Sequence, residues 1–84
     1  MSLNKFVMKL KIISPEKMIY KGEVKEVSLP GTLGAFTVLK DHAPLVSTLS
    51  AGKVVYVGDS GENELAIEGG VVEVRDNEVV ICIS

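Results

Sequence analysis

Breaks built from Gly, Pro, Ser, Asp and Asn interrupt this chain roughly every 6 to 12 residues, and no ten-residue stretch carries apolar residues at helical spacing between caps. Such a chain has only short extended segments to build with. Phe6, Met8, Leu10 and Ile12 alternate with Val7, Lys9, Lys11 and Ile13, the period of a half-buried strand. Ser14-Pro15-Glu16-Lys17 ends it, because Pro15 has no N–H to give a ladder. A short apolar piece, Met18 to Tyr20, is closed by Lys21-Gly22, and Val24 to Leu29 is the next run. Pro30-Gly31-Thr32-Leu33-Gly34 reads as a turn or loop. Ala35 to Leu39 follows, ended by Lys40-Asp41-His42-Ala43-Pro44; then come Leu45 to Leu49 and a turn at Ser50-Ala51-Gly52. Lys53 to Val57 and Glu64 to Glu68 flank Gly58-Asp59-Ser60-Gly61, a strong hairpin signal. Gly69-Gly70 marks a bend or bulge, and Val71 to Arg75 and Val79 to Ile83 flank Asp76-Asn77-Glu78 as a second hairpin. The expectation is an all-β, antiparallel β-sandwich or flattened barrel of about 8–10 short strands, forming one domain over residues 1–84.

Composition narrows the function classes. Apolar residues are 46% and charged residues 24%, with a net charge of −2, which excludes intrinsic disorder. A mildly acidic chain whose only arginine is Arg75 is a poor duplex nucleic-acid binder, since neutralising phosphates needs a basic patch. The longest apolar run is five residues, Val79 to Ile83, far short of the ~20 a membrane helix needs. No secretory or transit pattern is read at the start, and Met1-Ser2-Leu3 is as compatible with a cloning scar as with a native beginning. With Cys82 the only cysteine there is no disulfide, and one Cys with one His cannot make a four-ligand zinc staple. A reducing, cytosolic compartment is expected, with stability coming from sheet packing or from a partner.

The groups able to carry chemistry are few. His42 lies between Asp41 and Ala43-Pro44; neighbours on a strand or tight loop point apart, so Asp41 is not expected to orient it. Cys82, alternating with Ile81 and Ile83 in an apolar strand, is expected to be buried and inert. The glutamates are spread over strand-surface positions as solvated groups. Pro30 to Gly34 lacks the lysine and following helix of a phosphate cradle. No catalytic, cofactor-binding or metal-binding residue is expected, and the residues point to a soluble β-sandwich that works through its surface.

The run Gly34-Ala35-Phe36-Thr37-Val38-Leu39-Lys40-Asp41-His42-Ala43-Pro44-Leu45-Val46 resembles the central signature of the epsilon subunit of rotary F-type ATP synthases: a Gly, an apolar pair, a short turn, then His-Ala-Pro-Leu. Further marks fall in order. Leu10-Lys11-Ile12 with Ser14-Pro15-Glu16 is similar to the family's opening strand and turn, and Tyr20-Lys21-Gly22-Glu23-Val24 to its second element. Leu29-Pro30-Gly31 matches the loop before the signature and Leu49-Ser50-Ala51-Gly52 the turn after it. Glu68-Gly69-Gly70-Val71-Val72-Glu73-Val74 resembles the closing Gly-Gly-x-x-Glu-Val stretch, completed by Asp76-Asn77-Glu78-Val79. The likeness covers about residues 8 to 83. Thr37 departs from it, standing where a Gly is common, and implies a slightly different strand path.

The resemblance implies a non-catalytic central-stalk subunit of a proton-translocating complex, without a cofactor. Its partners would be the gamma subunit and the polar loops of the membrane c-ring. It would lie on the cytoplasmic face of the bacterial inner membrane, reach the membrane only through the complex, and be a soluble monomer when isolated. By motif, Thr32, Leu33, Gly34, Ala35, Phe36, Lys40 and Asp41 align with the ring-facing part, and Ser14, His42 and Ser47 with the gamma contact. Phe36 is expected to pack the core and Leu33 to be the exposed apolar contact. Many epsilon subunits continue into two helices that brake rotation; if Ser84 is the natural end, that brake is absent. Two rival classes stay open: a free-standing β-sandwich adaptor for another protein, and a small enzyme or ligand carrier using His42.

Overall fold

Alternation builds the first strand. In the computed structural model, which describes residues 7–84, β1 (Met8–Ile13) buries Met8, Leu10 and Ile12 and turns Lys9 and Lys11 outward. Phe6 and Met1-Ser2-Leu3 lie outside the described residues. Eight more strands follow: β2 (Met18–Val24), β3 (Glu26–Gly31), β4 (Gly34–Leu39), β5 (Leu45–Leu49), β6 (Gly52–Gly58), β7 (Gly61–Ile67), β8 (Gly70–Arg75) and β9 (Glu78–Ile83). They form one curled sheet in the order β2-β1-β9-β8-β5-β3-β6-β7, with β4 paired to β3. All the pairings are antiparallel except β1 with β9, which run parallel.

The sheet turns its corner where β3 meets two strands. Gly31 pairs with Leu49 of β5, whereas Glu26, Val27 and Ser28 pair with β6. The chain passes from β5 to β6 through Ser50-Ala51, and the Ser50 N–H donates to the Pro30 carbonyl at 2.8 Å. The far edge folds back: the Lys25 N–H donates to the Val57 carbonyl at 2.7 Å, and the Tyr20 and Tyr56 rings meet with centroids 4.6 Å apart. Between the layers sits one apolar cluster that includes Leu10, Ile12 and Ile81 from one side and Val27, Leu29 and Val54 from the other. Among the described residues no polar side chain is buried. Each fully buried aliphatic side chain contributes about 1.5–3 kcal/mol, so a core of valines, isoleucines and leucines drives the folding of so short a chain.

Several expectations shift at their edges. The short piece after the first turn is longer than expected, because Gly22 sits within β2 rather than ending it. Tyr20 explains the glycine: a Cβ at Gly22 would lie 2.5 Å from the tyrosine hydroxyl. Lys25, not Gly22, is the break before β3. Pro30 and Gly31 belong to β3, opposite Ala35 and Gly34, so only Thr32 and Leu33 form the turn. Pro30 costs the ladder little, since its carbonyl still accepts from Ser50 at the corner. Cys82 is exposed, not buried. Ile81 on the other face is fully buried, so the alternation of β9 that buries the isoleucine turns the thiol outward. Thr37 lies in regular pairing with Ser28, their hydroxyls 3.0 Å apart.

Candidate interaction site

The β3–β4 hairpin is built to hold its tip still. Neither Thr32 nor Leu33 has a positive φ; Gly34 after them does, at 133°, where a side chain would be strained. The Thr32 N–H donates to the Thr48 carbonyl at 3.1 Å, and the two threonine hydroxyls are 2.7 Å apart, so the tip is fastened to β5. Leu33, between these ties, is 103% exposed. A leucine held out on a pinned turn gains nothing for the fold. Phe36 is half-buried and packs against the core, as expected, while Gly31 gives its ring room: a Cβ there would lie 2.8 Å from the Phe36 Cε1.

Beside the tip lies a shallow apolar depression lined by Leu33, Ala35, Phe36, Leu45, His42 and Ser47. The His42 N–H donates to the Leu39 carbonyl at 3.1 Å, and its Nδ1 lies 2.7 Å from the Ala43 carbonyl oxygen. A carbonyl only accepts, so Nδ1 carries the proton and Nε2 remains for an outside partner. The Ser47 hydroxyl donates to the Thr48 carbonyl at 3.1 Å.

A clasp holds the other end of β4. The Asp41 N–H donates to Asn77 Oδ1 at 2.6 Å, and Asn77 Nδ2 donates to Asp41 Oδ1 at 3.1 Å. Lys40 Nζ donates to Asp41 Oδ2 at 2.8 Å. That lysine, then Asn77, holds the Asp41 carboxyl below its ordinary value of 3.8. Asp41 has φ 66°, and Asp76 and Asn77 have 52° and 60°, so the β8–β9 turn is of the kind whose twist suits a two-residue hairpin. The Asn77 carbonyl also accepts from Lys9 N–H at 3.0 Å, joining β1 to the same knot.

The expected contact residues therefore fall into three places. Thr32, Leu33, Gly34, Ala35 and Phe36 make the hairpin tip and its flank; His42 and Ser47 line the depression beside them. Lys40 and Asp41 stand at the opposite end of β4, turned to Asn77. Ser14 closes its own β1–β2 turn: its hydroxyl donates to the Lys17 carbonyl at 3.1 Å and accepts from Lys17 N–H at 3.2 Å. Two strands, β9 and β8, separate its strand from β5. Sequence reasoning missed Asn77 as more than a turn residue, because its partner lies 36 positions away. It also passed over Val46, which is 70% exposed on β5; period two alone could have flagged it, opposite the outward Glu73.

Chemically the arrangement offers recognition. The Asp41 carboxylate faces Lys40 and Asn77 rather than the His42 ring. Among the described residues no group of three or more His, Cys, Asp and Glu side chains is placed to hold a metal ion, and no helix is long and apolar enough to cross a membrane. The layered, curled sheet, with an apolar tip exposed beside a hollow that His42 helps to line, defines a β-sandwich domain.

The chain belongs to the ATP synthase delta/epsilon family: residues 7–84 match the family described as ATP synthase, Delta/Epsilon chain, beta-sandwich domain. It is 46% identical over 81 residues to the ATP synthase epsilon chain of Leptospira interrogans serogroup Icterohaemorrhagiae serovar copenhageni, covering 96% of this chain and 62% of that one. It is 42% identical over 74 residues to the epsilon chain of Chlorobium limicola, covering 87% and 84%. The chain thus spans less than two thirds of the Leptospira relative. In fold it is similar to a chain of the Euglena gracilis mitochondrial ATP synthase OSCP/F1/c-ring structure, at a TM-score of 0.86 and 22% identity over 93% of this chain and 51% of that one. A chain of the Tetrahymena thermophila central stalk/c-ring structure superposes at 0.75, with 15% identity over 90% and 62%.

Proposed function

We propose that this chain is a non-catalytic part of the central stalk of a proton-translocating F-type ATP synthase. The chain, taken as one domain over residues 1–84, links the gamma subunit to the c-ring and helps couple rotation to ATP synthesis. The single observation that carries the reading is the Thr32-Leu33 tip, pinned to β5 at 2.7 and 3.1 Å while Leu33 is wholly exposed. Torque transfer needs a contact that does not give, and a side chain that gains by leaving water. Membership of the family, and relatives named as epsilon chains, support the same reading.

In this scheme Thr32 to Phe36 meet the polar loops of the ring, and His42 and Ser47 receive gamma in the neighbouring hollow. Ser14 adds to the gamma contact from the separate β1–β2 turn. Lys40 and Asp41, assigned by resemblance to the ring, serve it by fixing the loop that carries His42. The complex would hold this chain on the cytoplasmic face of the bacterial inner membrane, with no cofactor of its own.

The test is reconstitution with gamma and with stripped membranes. Leu33→Lys is expected to leave folding and gamma binding intact and to weaken attachment to the membrane sector, because it puts a charge into a contact that excludes water. His42→Ala is expected to weaken gamma binding by about 1 kcal/mol, the size of a typical substitution effect. Parent-like attachment of both variants would refute the assignment. ATP turnover that follows the purified chain through size exclusion would refute its non-catalytic role.

A further inference from the structure

The seam between β2 and β6 lies outside everything the stalk reading uses. Tyr20 and Tyr56 meet there with ring centroids 4.6 Å apart and planes at 44°, a splayed wedge rather than a stack. The wedge opens into a hollow of about 540 Å³ whose rim carries Glu23, Asp59, Ser60 and Asn63. We infer that this hollow binds the guanidinium of an arginine side chain presented by a partner polypeptide.

Three observations carry the inference. First, the aromatic wall is half-exposed: both rings are only partly covered, so ring surface faces the hollow. A cation over a phenol face is attracted by the ring quadrupole, and a planar guanidinium also stacks on it. Second, the rim is negative. Glu23 and Asp59 make no ion pair among the described residues; the pairs found there are Lys11–Glu78, Lys40–Asp41, Lys53–Glu64 and Arg75–Asp76. Lys9 stands across the ladder from Glu23 on β1 without pairing with it. Third, the wedge is made possible by Gly22, beneath the Tyr20 ring, which any side chain would displace. Burial, and then the Tyr20 phenol, hold the Tyr56 hydroxyl above its ordinary value of 10.0, so that wall stays neutral beside the two carboxylates. Arginine fits better than lysine, because its fork can meet a carboxylate while its flat face covers a ring.

The test uses the 84-residue chain alone, so its outcome is independent of gamma or the ring. Tyr20 and Tyr56 are its only tyrosines and it has no tryptophan, so intrinsic emission reports this hollow and nothing else. A tetra-arginine peptide titrated at low salt is expected to change that emission saturably. The change should weaken about tenfold in a Glu23→Gln, Asp59→Asn double variant, both positions being exposed and open to change without loss of fold. A tetra-glutamate peptide should give no response. No saturable change with the arginine peptide, or the same curve in the double variant of unaltered circular dichroism, overturns the site. Free arginine binding as tightly as the peptide, site for site, overturns the polypeptide as its source.

Discussion

The β3–β4 and β8–β9 hairpins both close on two residues, yet they are opposites. In the second, Asp76 and Asn77 adopt positive φ, and the Asn77 side chain and carbonyl reach Asp41 and Lys9. Both the side chain and the carbonyl of Asn77 are used to bind the fold together. In the first, the strain is passed to Gly34 and the ties to Thr48, which leaves Leu33 free of any role in the fold. Two turns of equal length thus divide the labour: one fastens three segments, and the other displays an apolar side chain on a fixed mount. The clasp and the exposed apolar tip sit at different ends of β4.

The largest expected effect breaks the second hairpin from inside. Ile81 of β9 is fully buried, and Ile81→Ala should lower the unfolding free energy by about 2–5 kcal/mol, read from urea denaturation. A loss near zero would mean that β9 does not anchor the core.

An intermediate effect is expected at the clasp. Asn77→Gly keeps the left-handed turn but removes both links to Asp41, and losing the bond from the Asp41 backbone N–H should cost about 1 kcal/mol. The pH dependence has a definite sign. The Asp41 carboxyl is held low in the folded chain, so its contribution is fully present above 3.8 and is lost as pH falls through the lowered value. The stability gap between parent and Asn77→Gly should therefore narrow in acid below pH 3.8. A gap that widens there would show that the carboxylate is not part of the clasp.

The smallest effect sharpens the contrast most. Leu33→Ala removes as much hydrocarbon as a core truncation, yet it should change stability by no more than about 0.5 kcal/mol, because the side chain is already in water. A loss like that of Ile81→Ala would mean that the first hairpin is structural too.

Much of this was written locally. The alternation over Met8 to Ile12, the Gly58-Asp59-Ser60-Gly61 hairpin and the Asp76-Asn77 turn depend on side-chain period and backbone preference within a few residues, so they can be read from the chain. The exposure of Leu33 was legible for the same reason: a leucine next to a glycine at a turn has nowhere local to bury. The family signature likewise runs along the chain, from Gly34 to Val46.

What only the tertiary structure decided is what distant segments do to one another. Pro30-Gly31 has turn composition, but the corner with Ser50 and pairing with β4 keep it in a strand. Cys82 sits in an apolar run, but the core lies on the Ile81 side, so the thiol faces out. The parallel contact of β1 with β9 joins the two ends of the described chain, and no local pattern encodes it. Asn77 with Asp41, and Tyr20 with Tyr56, are each 36 residues apart, and their meeting was settled when the layers closed. Local preference is a property of a residue and its neighbours; which faces meet depends on how the whole sheet curls to bury one apolar cluster.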